Sequence, residues 1–200
     1  MKTAIYGGSF NPPHLGHVSA AQTVASTLKP DRFLIIPDNI PPHKQLAEGS
    51  PSPEARLDMC RLAFSCIEGA EISDIEINRS GRSYTADTIA ALRQIYPDDR
   101  FFLVVGSDML LSFTTGWRNF EYILSEATLT VLSREEGDAE LLLQAAESLR
   151  HDYGANVVLL PHKALPMSSS DIRALLSEGG GQDYLSPEVY AYIFKNGLYI

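Results

Sequence analysis

Thr3-Ala4-Ile5-Tyr6-Gly7-Gly8-Ser9-Phe10-Asn11-Pro12-Pro13-His14-Leu15-Gly16-His17 is the stretch on which the reading of this chain turns. Thr3–Tyr6 is a short apolar run ending on two glycines. Leu15–Leu28 then carries apolar residues at helical spacing, through Leu15, Val18, Ala21, Val24, Ala25 and Leu28. The pattern predicts a strand, a tight turn and a helix. Gly7 and Gly8 permit positive φ and close approach of backbone to a ligand. Pro12 and Pro13 fix the chain as it enters a helix whose first turn has unpaired N–H groups and the positive end of the dipole. Such a terminus is a ready-made anion site. His14 and His17, at i and i+3, share one face of it. Gly16 between them is a poor helix former, about 1 kcal/mol worse than Ala, which predicts that something packs against the backbone there.

Outward from this stretch, strand-like and helix-like segments alternate. Phe33–Ile36 is a second buried strand, stopped by Pro37, and a loop rich in Pro and polar residues runs to about Pro53. Glu54–Ile67 reads as a helix, with Ser52 as its cap and Pro53 at its first position. A strand near Ile72–Ile77, a helix over Thr85–Tyr96 and the strong strand Phe101–Val105 follow. Leu129–Leu132 and Val157–Leu160 are further strands, separated by the helical Ala139–His151. Gly179–Gly181 then divides the helix after Ser170 from the apolar helical stretch Pro187–Phe194. Strands separated by helices predict an α/β fold with a doubly wound parallel sheet covered on both faces. We expect one domain over 1–200, with a short C-terminal helical part from about 168. Ligands of such sheets bind beyond the carboxyl ends of the strands. Gly7–Phe10, Pro37–Lys44 and Gly106–Asp108 each follow a strand directly, so the three loops are predicted to converge on one crevice.

The formal net charge of -9 gives no overall positive field for nucleic acid or an anionic membrane. A phosphate site must therefore be a local construction of backbone N–H groups and a few placed cations. Cys60 and Cys66 match no common zinc spacing and are too few for a disulfide framework. Met1–Tyr6 leads straight into glycines and polar turn residues, unlike a signal peptide. No apolar run approaches the roughly 20 residues needed to cross a bilayer. A soluble cytoplasmic protein is the expectation, with a homo-oligomer left open.

Blander readings compete for the first motif. The histidines could be surface residues, the glycines a plain turn, or the pair two zinc ligands, although no Glu, Asp or third His lies nearby to complete a metal site. The string is not a Walker loop, because no Gly-Lys-Ser/Thr follows, and it does not match the dinucleotide fingerprint. It resembles instead the signature of the nucleotidyltransferase superfamily that includes pantetheine-phosphate adenylyltransferases, cytidylyltransferases and nicotinate-nucleotide adenylyltransferases. Its His-x-Gly-His element is shared with class I aminoacyl-tRNA synthetases. The second superfamily element, a Ser/Thr-rich helix start followed by Arg, is present as Met167-Ser168-Ser169-Ser170-Asp171-Ile172-Arg173. It offers hydroxyls and amides at another helix N-terminus, with a guanidinium one turn inside, which suits ATP phosphates.

Four further features resemble the nicotinate-nucleotide branch. They are Pro37-Asp38-Asn39-Ile40-Pro41-Pro42-His43-Lys44, Ser83-Tyr84-Thr85-Ala86-Asp87-Thr88, Gly106-Ser107-Asp108 with Trp117 beyond it, and the ending Tyr184-Leu185 to Gly197-Leu198-Tyr199. Asn11 and Ser170 depart from the family pattern, where Asp and Thr are frequent. The resemblance implies a Rossmann-like nucleotidyltransferase fold and adenylyl transfer from ATP to nicotinate mononucleotide, with Mg²⁺ carried on the phosphates and no protein metal ligand. It implies that His14, His17 and Arg173 are catalytic. Gly7, Gly8, Ser9, Phe10, Gly16, Gly106, Asp108, Ser168, Ser169 and Ser170 would bind ATP. Lys44 and Arg134 would serve the acceptor phosphate, with Asn39 and His43 on the same substrate loop as Lys44, while Trp117 would stack on the pyridine ring. Ser83, Tyr84, Thr85 and Arg118 would lie at the nicotinate carboxylate, held by Thr85 and backbone amides.

The residues keep other readings alive. Arg134 could be an ordinary surface arginine, and a single Trp is often core, although the polar neighbours Thr114-Thr115-Gly116 and Arg118-Asn119 argue for a wet site. Nicotinamide mononucleotide or phosphopantetheine could replace the acceptor. A tRNA-binding synthetase fragment is disfavoured by acidic charge and short length, and a non-catalytic nucleotide sensor by the intact His14, His17 and Arg173.

Overall fold

The computed structural model describes residues 1–42, 46–133, 139–163 and 165–199. Six strands form one sheet: β1 (Lys2–Gly8), β2 (Arg32–Pro37), β3 (Ala70–Ile72), β4 (Arg100–Gly106), β5 (Ala127–Ser133) and β6 (Val157–Pro161). Their order is β3-β2-β1-β4-β5-β6 and every pairing is parallel. This is the doubly wound arrangement, whose direction of winding reverses between β1 and β4.

Period-two alternation builds two cores. Ala4, Phe33, Ile35, Val104, Leu132 and Leu160 face α1 (Leu15–Leu28), α2 (Pro53–Ala63), α8 (Ser169–Ser177) and α9 (Pro187–Lys195). Ile5, Leu34, Ile36, Leu103, Val105 and Val131 face the other way, toward α3 (Thr85–Ile95) and α7 (Ala139–Tyr153). Three short helices, α4 (Ser107–Leu111), α5 (Phe113–Gly116) and α6 (Phe120–Glu126), fill the connection from β4 to β5. Among the described residues no helix is long and apolar enough to cross a membrane.

Two expectations are corrected. The strand expected over Ile72–Ile77 is three residues at Ala70–Ile72, paired with Phe33–Ile35 at the sheet edge. After Ser73 the chain turns, with Asn78 N–H on Asp74 O, which carries Ile75 onto the second core and buries Glu76. The apolar alternation therefore reported burial without pairing. The helix expected to reach Ile67 stops at Ala63, and Phe64–Gly69 turns through Gly69 at φ 74° into β3.

Candidate active site

The turn after β1 is shaped by Phe10. Its φ of 42° is the left-handed region, and its ring is buried against Tyr6 and Phe64 at centroid distances of 5.6 and 5.5 Å. A Cβ on Gly8 would stand 3.0 Å from Phe10 Cζ, so the ring lies close under the glycine. A non-glycine residue in this region persists only when its surroundings over-determine it.

The two histidines build the start of α1. His14 is the N-cap and its Nδ1 accepts from Gly16 N–H at 3.1 Å, while His17 Nδ1 accepts from His14 N–H at 3.2 Å. A nitrogen that accepts bears no proton, so these contacts fix both neutral rings as the Nε2–H tautomer. The rings lie 3.8 Å apart between centroids. A Cβ on Gly16 would stand 2.8 Å from His14 Cε1, which explains the glycine: the object packed against the backbone is the His14 imidazole.

Across the cleft, Ser168 caps α8 in a reciprocal box with Asp171, whose carboxylate accepts from the Ser168 N–H and hydroxyl. Those bonds hold the Asp171 carboxyl below its ordinary value. Arg173 donates to Asn11 O at 2.7 Å and to Ser170 Oγ at 2.9 Å, and the Ser169 hydroxyl donates to Pro12 O. The two helix N-termini are thus fastened together around a cleft of about 770 Å³. Gly7, Gly8, Ser9, Phe10, His14, Gly16, His17, Gly106, Ser168, Ser169, Ser170 and Arg173 all line it.

The remaining described residues are not among those that line this cleft. Asn39 N–H donates to the buried Ser83 hydroxyl at 2.9 Å, and Asn39 Nδ2 to Arg79 O. Tyr84 is the N-cap residue of α3 and Thr85 begins it. The Arg118 guanidinium sits 4.5 Å over the Tyr84 ring, which brings the segments of residues 83–85 and 117–118 together. Trp117 is half-buried and stacks on Phe113, with centroids 4.8 Å apart and planes at 23°. Asp108 is exposed in the first turn of α4. His43, Lys44 and Arg134 lie outside the described residues.

The family model described as cytidylyltransferase-like matches residues 5–175, from β1 into α8. The chain belongs to that family. Two relatives of the chain bear the name probable nicotinate-nucleotide adenylyltransferase. The protein from Carboxydothermus hydrogenoformans is 37% identical over 199 residues, covering 99% of this chain and 98% of its own. That from Geobacter sulfurreducens is 38% identical over 214 residues, covering 100% and 98%. A solved structure of Plasmodium falciparum nicotinic acid mononucleotide adenylyltransferase complexed with NaAD superposes with a TM-score of 0.80 at 20% identity, over 100% of this chain and 98% of that one. That likeness speaks for the fold.

Three clusters in this cytidylyltransferase-like chain escaped the sequence reading. Arg56 is wholly buried and donates to Asp38 Oδ1 and to the carbonyls of Ser9, Asp38 and Asn39. A signal existed: Met59, Cys60 and Ala63 follow it at i+3, i+4 and i+7, so a charge stands in the apolar stripe of α2. Glu76 is buried where Thr88 Oγ1 donates to it at 2.6 Å, and burial pushes its carboxyl up despite that bond, Ser83 and Arg79. Tyr199 donates to Asn11 Oδ1 at 2.6 Å, a contact between the two ends of the chain that no local pattern encodes.

Proposed function

We propose that the protein transfers AMP from ATP to nicotinate mononucleotide, giving nicotinate adenine dinucleotide (deamido-NAD) and pyrophosphate. The observation that carries this reading is the pair of capped helix N-termini facing each other across one cleft at the sheet's switch point, with His14 and His17 on one and Ser168–Arg173 on the other. The names of the full-length relatives support the acceptor.

The acceptor's 5′-phosphate oxygen attacks the α-phosphorus in line as an anion. The bond from that phosphorus to the oxygen bridging the β-phosphate breaks, and pyrophosphate leaves with the electron pair. No protein nucleophile or base is needed, so positioning and charge stabilisation are the protein's tasks. His17 and His14, donor tautomers at Nε2, bond the α-phosphate oxygens as charge accumulates. Arg173 and the Ser168–Ser170 hydroxyls and amides hold the departing pyrophosphate. Gly7–Phe10, Gly16 and Gly106 let the nucleotide approach the backbone, and Asp108 bonds a ribose hydroxyl.

The cleft presents donors suited to anionic oxygen, and among the described residues no group of three or more His, Cys, Asp or Glu side chains could hold a metal. Because the cleft's donors suit anionic oxygen, magnesium fits as part of the nucleotide substrate, where it would neutralise phosphate charge. On the acceptor side, Trp117 stacks on the pyridine ring, and Thr85 and amides near Arg118 bind its carboxylate, with Ser83 and Tyr84 shaping the segment. Lys44 and Arg134 serve the acceptor phosphate, and Asn39 and His43 belong to the same substrate-binding loop as Lys44. The reaction belongs to cytoplasmic NAD synthesis.

Pyrophosphate release measured with ATP and Mg²⁺ over a panel of acceptors tests the reading. Nicotinate mononucleotide should be used far better than the nicotinamide form. Equal kcat/KM for the two would remove the carboxylate claim, and preference for phosphopantetheine would reassign the acceptor.

A further inference from the structure

Asn11 is 4% exposed and its side chain is held at both ends: Oδ1 accepts from the Tyr199 hydroxyl at 2.6 Å, and Nδ2 donates to Ser50 Oγ at 2.8 Å. The carbonyl of the same residue receives Arg173 Nη1 at 2.7 Å. Asn11 directly follows Phe10, whose left-handed backbone needs outside support to persist. Tyr199 is itself left-handed, at φ 64°, and packs against the first core beside α9. Burial pushes its phenol up, so the hydroxyl remains a proton donor at ordinary pH.

We propose that Tyr199 is a positioning residue for the transfer reaction: through Asn11 it fixes the carbonyl that aims the Arg173 guanidinium into the cleft. The C-terminal segment thereby sets the angle between the two jaws. Tyr199 is outside the cleft lining, and its link to Arg173 runs through one side chain and one carbonyl. An Asn at position 11 suits this task because its two ends are chemically distinct. Oδ1 accepts and Nδ2 donates, and a hydroxyl can do either, so the amide bridges the Tyr199 and Ser50 hydroxyls through its two ends.

This inference rests on the proposed assignment of Arg173 to pyrophosphate, and the test separates the two. Tyr199→Phe removes one oxygen and keeps the ring's packing. With wild-type activity on nicotinate mononucleotide established, kcat should fall about tenfold, less than the roughly 10²-fold that a 1 Å misplacement can cost. KM for the mononucleotide should be unchanged, and KM for pyrophosphate in the reverse direction should rise. Ile193→Val, which trims the same core, should lower the melting temperature without that kinetic signature. The effects of Tyr199→Phe and Asn11→Ser should fail to add, because either breaks the same link. Wild-type kcat in Tyr199→Phe, or equal kinetic loss in Ile193→Val, would overturn the positioning role and leave the activity standing. An inactive wild-type protein would instead strike at the assigned function.

Discussion

Arg56 Nη1 stands 2.9 Å from Asp38 Oδ1 with the guanidinium side chain wholly buried, and the same carboxylate accepts the Ser9 hydroxyl at 2.7 Å. The pair joins the loop after β1 to the loop after β2. These are the two segments assigned to ATP and to the acceptor, so their separation is set by one arginine on α2. Its fork reaches four acceptors, a geometry that one ammonium group cannot reproduce.

Arg56→Ala should therefore destabilise the fold by about 3–5 kcal/mol, the usual cost of leaving one partner of a buried pair uncompensated. Arg56→Lys should recover only part of that loss. Urea unfolding followed by circular dichroism measures both. A midpoint for Arg56→Ala close to wild type would mean that Asp38 relaxes to solvent.

The proposed donor role of His17 and its cap on His14 N–H are separable, and two substitutions divide them. His17→Ala should lower kcat by about 10²-fold or more, the scale of losing one preorganised donor to a charged transition state. ATP affinity should change less. The same variant loses the cap on His14 N–H, worth about 1 kcal/mol. Glutamine at the third helical position can restore such a cap, so His17→Gln should regain stability without regaining turnover. Near-normal kcat in either variant would make the pair structural.

Gly16→Ala sets helix propensity against the site. Alanine gains about 1 kcal/mol in a helix interior, yet its Cβ would fall 2.8 Å from His14 Cε1 and 2.9 Å from Nδ1. The imidazole must move and release Gly16 N–H. Turnover should fall at least as much as on losing His14 itself, while the melting temperature changes little. Full activity would show that the ring can tilt at no cost.

Glu76 supplies a pH signature in stability. Burial raises its carboxyl above the ordinary 4.5 in the folded state, so the folded protein holds more protons than the unfolded one over that interval. Stability from this group is present below 4.5 and lost as pH rises through the raised value. Glu76→Gln keeps an acceptor for Thr88 and cannot ionise. Its melting temperature relative to wild type should therefore climb as pH rises above 4.5. A constant difference across that range would mean that the carboxylate is ionised in the fold at no cost.

What the sequence revealed and concealed follows from how far apart the interacting residues lie. The strand, turn and helix from Thr3 to Leu28 is a local code of apolar spacing, glycine and proline, and the fold follows it, except that Gly7 and Gly8 stay in the strand and the left-handed residue of the turn is Phe10. The capped helix at Ser168 is local as well. Asn11 with Tyr199, and Ser9 with Arg56, meet across 188 and 47 positions, and no periodicity announces such pairs. The segment Ile72–Ile77 misled because Ile75 and Glu76 are buried by a turn; alternation records which side chains are hidden, not which backbone groups are paired. The short helices after β4 are too brief to show a helical stripe, which also left the setting of Trp117 to its neighbours' polarity.

Trp117 is the chain's single tryptophan, and its setting sharpens the test of the pyridine platform. Phe113, wholly buried, covers one face of the indole at 4.8 Å, so only the opposite face can receive the nicotinate ring. Titrating the mononucleotide should then quench intrinsic fluorescence, with no other indole contributing. Trp117→Ala should raise KM for the mononucleotide about tenfold or more, since ring stacks of this kind are worth about 1–3 kcal/mol. It should lower kcat less, because stacking is shared by ground and transition states. The same substitution uncovers Phe113 and forfeits an aromatic pair worth about 0.5–1.5 kcal/mol beyond its buried area, so a modest fall in melting temperature is expected alongside. Trp117→Phe separates the two contributions. It keeps a ring against Phe113 and should restore most of the stability, while its smaller face should recover only part of the affinity. If KM is unchanged in Trp117→Ala while stability drops by the roughly 3–5 kcal/mol typical of a core tryptophan, the indole serves the second core, and the pyridine ring must be held elsewhere.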